Sequence, residues 1–135
     1  MQTFKRELTL VWGDCDDAGI VFYPNYFYWF DGTYHLYLRS RGMGMRDVKA
    51  QFHAVTPLVD VGAKFRSPIT YEDTVQIEAR VAEWMERRFR LEYTVTCGER
   101  LVATGHELRA WAEFDESGRL RGAPVPQAFR DLFEG

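Results

Sequence analysis

From Pro24 to Arg41 the chain reads Pro-Asn-Tyr-Phe-Tyr-Trp-Phe-Asp-Gly-Thr-Tyr-His-Leu-Tyr-Leu-Arg-Ser-Arg, with no second proline. This aromatic run constrains the fold more than any other stretch. Pro24 suits the first turn of a helix, where its missing N–H costs nothing. Gly42 suits the position just past the end, and Arg39 and Arg41 place cations at the carbonyl pole. The spacing predicts one helix of about 18 residues, roughly 27 Å long. Phe27, Phe30, Tyr34 and Leu38 share a face, while Tyr26, Trp29, Leu36 and Tyr37 add bulk elsewhere. A helix this apolar is expected to be buried on most sides.

Around it the pattern is strand after strand. Residues 3–11 alternate, with Phe4, Arg6, Leu8 and Leu10 on one face and Lys5, Glu7, Thr9 and Val11 on the other. Val59, Val61, Ala63 and Phe65 mark a second strand within 56–66. Val75, Ile77, Ala79 and Val81 mark a third, and Phe89, Leu91, Tyr93 and Val95 a fourth within 87–96. Gly98-Glu99 reads as a hairpin turn into a long strand over 101–114, carrying Val102, Thr104, Leu108, Ala110 and Ala112. Residues 126–133 suit a short terminal helix. One strand, one long helix and then several antiparallel strands predict an α+β fold, a single sheet curled around one central helix. At 135 residues the chain is expected to be one domain, 1–135. Its long edge strands call for protection, and pairing with a second copy would supply it.

Composition narrows function by exclusion. A net charge of −3 lacks the basic excess of a nucleic-acid binder. The first residues hold no apolar signal run, and no stretch approaches the ~20 apolar residues of a membrane span, so a cytoplasmic protein is expected. Cys15 and Cys97 are too few for a disulfide scaffold and fit two free thiols. His35, His53 and His106 stand at no metal-ligand spacing, so no metal is expected. There is no nucleophile-elbow or nucleotide-binding glycine pattern. Cys15 lies among Asp14, Asp16 and Asp17, whose charge disfavours a thiolate.

That acidic cluster is the remaining candidate. Acids at a helix start commonly serve as caps. Here they lie between glycines and aromatics, beside the free N–H groups of a helix N-terminus, which can hold a developing oxyanion. A carboxylate at such a place can be a nucleophile, or a base for water, in acyl transfer.

The segment Gly13-Asp14-Cys15-Asp16-Asp17-Ala18-Gly19-Ile20-Val21-Phe22-Tyr23-Pro24-Asn25-Tyr26 closely resembles the signature of the 4-hydroxybenzoyl-CoA thioesterase family of hotdog-fold proteins. Only Asp17, where that signature has Pro, departs from it. The likeness extends to Thr56-Pro57, Gly118-Arg119-Leu120-Arg121 and Val125-Pro126. The resemblance implies a hotdog fold and hydrolysis of a small, aromatic, 4-hydroxybenzoyl-like CoA thioester to free acid and CoA. It assigns the catalytic carboxylate to Asp16 and the carbonyl-polarising backbone N–H to Tyr23. Asp31 falls at the hydroxyl end of the acyl group, and Thr56 beside the acyl site. CoA-binding arginines fall on Arg87, Arg88 and Arg121, although two neighbouring positions that are basic in the family read Met85 and Glu86 here.

No cofactor is implied beyond the CoA of the substrate itself. The family resemblance also implies a homo-oligomer, a dimer or a tetramer. Short-chain aliphatic acyl-CoA hydrolysis and a non-catalytic acyl-binding module are the alternatives. A hotdog hydratase or dehydratase would use a different His/Asp arrangement, and no His stands in the signature loop.

Overall fold

A computed structural model describes residues 2–134. In chain order the elements are β1 (Phe4–Thr9), α1 (Pro24–Ser40), α2 (Met45–Phe52), β2 (Ala54–Val55), β3 (Leu58–Phe65), β4 (Thr74–Trp84), β5 (Arg88–Cys97), β6 (Arg100–Ala110), β7 (Ala112–Phe114), β8 (Leu120–Gly122) and α3 (Gln127–Arg130). The main sheet has five antiparallel strands in the order β1-β4-β5-β6-β3, with α1 on its inner face. This is the hotdog arrangement of an α+β protein.

The expected helix forms with the expected ends. Pro24 opens it, and Gly42 stops it with a φ of +78° that a residue bearing a Cβ would resist. Tyr26, Trp29, Phe30, Thr33, Tyr34, Tyr37 and Leu38 are buried. Tyr28 is 77% exposed and Leu36 37%, so α1 is buried on its sheet side and open on the other, not on most sides. A helix laid on one face of a sheet has nothing to cover its back within the same chain.

The centre of the contact is Phe30 stacked on Tyr93, ring centroids 4.6 Å apart and planes 11° from parallel. Gly105 makes this possible. A Cβ built there would lie 2.3 Å from the Phe30 ring, so only glycine lets α1 sit this close to β6. At the far end Phe129 and Phe133 pack against Trp84, closing the core. Each such side chain contributes about 1.5–3 kcal/mol by leaving water.

Three expectations need correction. The sheet is not single: β2, β7 and β8 form a separate three-stranded sheet. Residues 101–114 are two strands, because the chain breaks at Trp111, which buries its indole, while the Trp111 backbone N–H donates to the Arg87 carbonyl. The inner face of β6 also carries other residues than the alternation suggested. Tyr93 pairs with Gly105 and Leu91 with Glu107, so Gly105, Glu107 and Arg109 face the helix side. Two charged side chains occupy core positions there because they satisfy each other.

Candidate active site

The loop between β1 and α1 is held by its own backbone and by the side chains of Asp14, Asp16 and Asn25. Trp12–Asp14 form a single 3-10 turn. Asp14 accepts the Val11 N–H at 2.8 Å through its carboxylate. Its carbonyl takes the Phe22 N–H at 2.8 Å and the Asn25 amide at 2.9 Å, which pins the loop to the first turn of α1. Cys15 pairs with Val21, leaving residues 16–20 as a tight turn whose Gly19 has a φ of +78°.

Asp16 sits exposed in that turn. Its Oδ1 accepts the Ala18 N–H at 2.9 Å, which fixes the carboxylate, while Oδ2 has no partner among the described residues. Neither Asp14 nor Asp16 caps α1. The N-cap position belongs to Tyr23, and no side chain caps the helix. Asp17 is exposed.

At the head of α1 the backbone donors come down to one. Pro24 has no N–H, Asn25 donates to the Phe22 carbonyl and Tyr26 to the Tyr23 carbonyl. The Tyr23 N–H has no acceptor among the described residues. It lies at the positive pole of a 17-residue helix. Tyr23 also lines an apolar cleft of about 440 Å³ with Ile20, Val21, Tyr26, Phe65 and Pro68.

Eight residues further along α1 stands Asp31, about 12 Å down the helix by its rise. Its Oδ1 meets His35 Nε2 at 3.4 Å and accepts a hydrogen bond from Arg109 Nη2 at 2.8 Å. Together they hold the carboxyl down at a pKa of about 2, against the opposing effect of partial burial. Oδ2 remains without a partner among the described residues. Asp31 is therefore a fixed anion with one oxygen engaged and one open.

Thr56 is buried, with its hydroxyl 2.9 Å from the Tyr34 hydroxyl and its carbonyl accepting Arg109 Nη1 at 2.9 Å. The Arg109 guanidinium also stacks 4.2 Å above the Tyr34 ring. Burial pulls its pKa down, but Glu107, Tyr34 and Asp31 outweigh that and raise it. Arg109 thus joins Asp31 to Thr56. Sequence reading missed Glu107, Arg109 and His35 as members of this cluster. The signal was available: Glu107 and Arg109 share the phase of Ala103 and Gly105, and His35 follows Asp31 by one helical turn.

The three arginines gather elsewhere. Arg87 donates to the Gly122 carbonyl at 3.0 Å, and Arg121 pairs with Asp115 at 2.8 Å. Ser117, with Arg121 and Arg119, holds the half-buried Asp115 carboxyl at a pKa of about 2. Arg88 opens β5 and is exposed. The signature loop packs at the Thr74 end of β4, where Leu10 bonds Asp73, whereas these arginines lie beyond Trp84 at the other end. The two groups are separated by roughly 30 Å of strand within one chain. Among the described residues, no three His, Cys, Asp or Glu side chains converge to hold a metal ion. None of the described helices is long and apolar enough to cross a membrane.

Residues 10–133 match the model of the thioesterase-like superfamily. The chain is 32% identical to the 4-hydroxybenzoyl-CoA thioesterase of Pseudomonas sp. strain CBS-3, with 97% of each chain covered. A crystal structure of a 4-hydroxybenzoyl-CoA thioesterase mutant, complexed with 4-hydroxybenzoyl-CoA, superimposes with a TM-score of 0.89 at 31% identity, over 99% of this chain and 100% of that one. The structure of a gentisyl-coenzyme A thioesterase gives 0.82 at 30% identity, over 98% and 100%. The chain belongs to the thioesterase-like superfamily, and its class is that of the thioester hydrolases.

Proposed function

We propose that this chain hydrolyses the CoA thioester of a small hydroxyaryl acid, 4-hydroxybenzoyl-like in size, to the free acid and CoA. The observation that carries the reading is the pair formed by the unpartnered Tyr23 N–H and the open Oδ2 of Asp31 on one helix. Their axial offset of about 12 Å, less two hydrogen bonds of about 3 Å each, leaves room for one aromatic ring and its carbonyl. The names of two relatives point the same way, since 4-hydroxybenzoyl and gentisyl groups both carry ring hydroxyls.

In this reading the Tyr23 N–H polarises the thioester carbonyl and stabilises the oxyanion, which one donor can do by about 3 kcal/mol. Asp16 supplies the carboxylate. It either attacks the carbonyl carbon, expelling CoA thiolate and leaving an anhydride that water opens, or it takes a proton from a water that attacks directly. Tracing labelled solvent oxygen into Asp16 separates the two. Asp31 accepts the ring hydroxyl, and Thr56 acts beside it through Tyr34 and Arg109. No cofactor is needed beyond the substrate's own CoA.

Arg87, Arg88 and Arg121 are proposed to meet the nucleotide phosphates. Because they lie at the far end of β4 from Asp16 in the same chain, a second copy would bring them to the site. The edge strand β3 suits such pairing: Leu58, Val59, Val61 and Phe65 are each between 39% and 50% exposed. The active form is therefore proposed as a homodimer or a tetramer built from dimers. Light scattering that returns the mass of one chain, at a concentration where activity is full, would overturn this. The cytoplasm is the proposed compartment, in keeping with two free thiols.

The deciding experiment measures thiol release from 4-hydroxybenzoyl-, benzoyl- and butyryl-CoA. The highest kcat/KM is expected for the hydroxylated substrate. A preference for butyryl-CoA would reject the aryl reading, and binding of all three without thiol release would identify a non-catalytic module.

A further inference from the structure

Arg109 has three nitrogens bonded to three different groups. Nε donates to Glu107 Oε1 at 3.1 Å, Nη1 to the Thr56 carbonyl at 2.9 Å, and Nη2 to Asp31 Oδ1 at 2.8 Å. Glu107 is wholly buried; its Oε1 also takes the Tyr93 hydroxyl at 2.6 Å, and its Oε2 has no partner among the described residues. Two carboxylates thus share one buried cation. A buried ion pair is weak support for stability, and an apolar pair of the same volume would serve this part of the core at least as well. Its outer end, however, reaches Asp31, a side chain that is 44% exposed.

We propose that Arg109, aimed by Glu107, is a positioning residue that sets acyl specificity: it fixes the Asp31 carboxylate by one oxygen so that the other accepts a hydroxyl at the far end of the acyl group. This rests on the reading of Asp31 given above. The guanidinium is planar and rigid, so a Glu107 contact at Nε determines where Nη2 points. His35 meets the same Asp31 oxygen as Arg109 does, which leaves Oδ2 to the substrate. The open Oδ2 suits a hydroxyl donor and offers no partner to an acyl group that ends in a carboxylate.

The test is a ratio, kcat/KM for 4-hydroxybenzoyl-CoA over that for benzoyl-CoA, measured in wild type, D31N, R109Q, R109K and E107Q. A hydrogen bond to a charged acceptor predicts a wild-type ratio of about ten to a hundred. R109Q is expected to bring the ratio below about a third of the wild-type value. R109K keeps the charge but lacks the planar fork that reaches three separated acceptors, and E107Q is isosteric but removes the ionic anchor. Both are expected to fall in between. Damage to the core alone would lower both substrates together and leave the ratio intact. If D31N loses the ratio while every folded variant at 107 and 109 keeps it, the positioning role is overturned and the Asp31 reading stands. If D31N itself keeps the wild-type ratio, the Asp31 reading fails first and this inference falls with it.

Discussion

Gly105→Ala tests how closely α1 is bound to the sheet. The added methyl would stand 2.3 Å from Cε2 and 2.6 Å from Cζ of Phe30, and 3.1 Å from the Gly62 carbonyl oxygen. Carbon atoms rest at about 3.5–4.0 Å, so the ring must retreat by more than about 1 Å. It has little room to do so. Phe30 is fully buried, stacked on Tyr93 and met edge-on by Phe27 at 6.2 Å. Overpacking of this kind costs about 1–3 kcal/mol, and the severity of this contact puts the expectation near 3 kcal/mol. For a chain of this length that lowers the melting temperature by roughly 10 °C. Calorimetry of wild type, Gly105→Ala, Phe30→Leu and the double variant measures it. Leu has no atoms where the clash occurs, so the double variant is expected to be more stable than the two single losses predict, by about 1 kcal/mol or more. A Gly105→Ala protein melting within about 2 °C of wild type, or strict additivity in the cycle, would refute the argument.

Asp16→Asn is expected to cut kcat by about a hundredfold or more with the melting temperature unchanged, and more than a tenth of wild-type turnover would exclude Asp16 as the reacting carboxylate. Asp31 has a folded pKa of about 2 against roughly 4 unfolded, so its contribution is present above about pH 4 and lost as pH falls towards 2. Urea midpoints of wild type and Asp31→Asn should therefore differ at pH 6 and converge by pH 2; a constant gap would contradict the pairing. Arg121→Ala should raise KM for the CoA thioester several-fold with little change in kcat, and leave an acyl-pantetheine substrate untouched. Equal effects on both substrates would remove Arg121 from the nucleotide site.

The α1 helix was legible because Pro24 and Gly42 bracket it and nothing between them interrupts the turn. β4 and β5 were legible because Val75, Ile77, Ala79, Phe89, Leu91 and Tyr93 all point inward, where apolar residues belong. β6 was misread for the complementary reason. Its inner face holds Gly105, Glu107 and Arg109, two charges and no side chain at all, so hydrophobic alternation favoured the wrong phase. Mutual pairing of those charges appears only once β3, β5 and α1 are assembled. α2 went unseen although Met45, Val48 and Phe52 follow helical spacing, because an eight-residue element with only Val48 buried gives a faint pattern. At the site, the loop motif pointed to Asp16 and Tyr23. The phase of β6 and the Asp31–His35 spacing were there to be read, but that Arg109 meets Asp31 was not, since the two come together only through the fold.

In the proposed binding mode both ends of the acyl group are held along one helix, which makes substrate length a graduated scale. Residues 27, 31 and 35 share a face, about 6 Å apart along the axis. A carboxylate moved from 31 to 27 would call for an acyl group shorter by that step, and one moved to 35 for a group longer by nearly a second ring. The loop that carries Asp16 would not need to change. Arg109 would not travel with the relocated acid, so the new position would begin without its anchor and would need a cation of its own on β5 or β6. In that binding mode acyl length would be altered by exchanging two residues, a carboxylate on the helix and its cation on the sheet, without carving a new cavity.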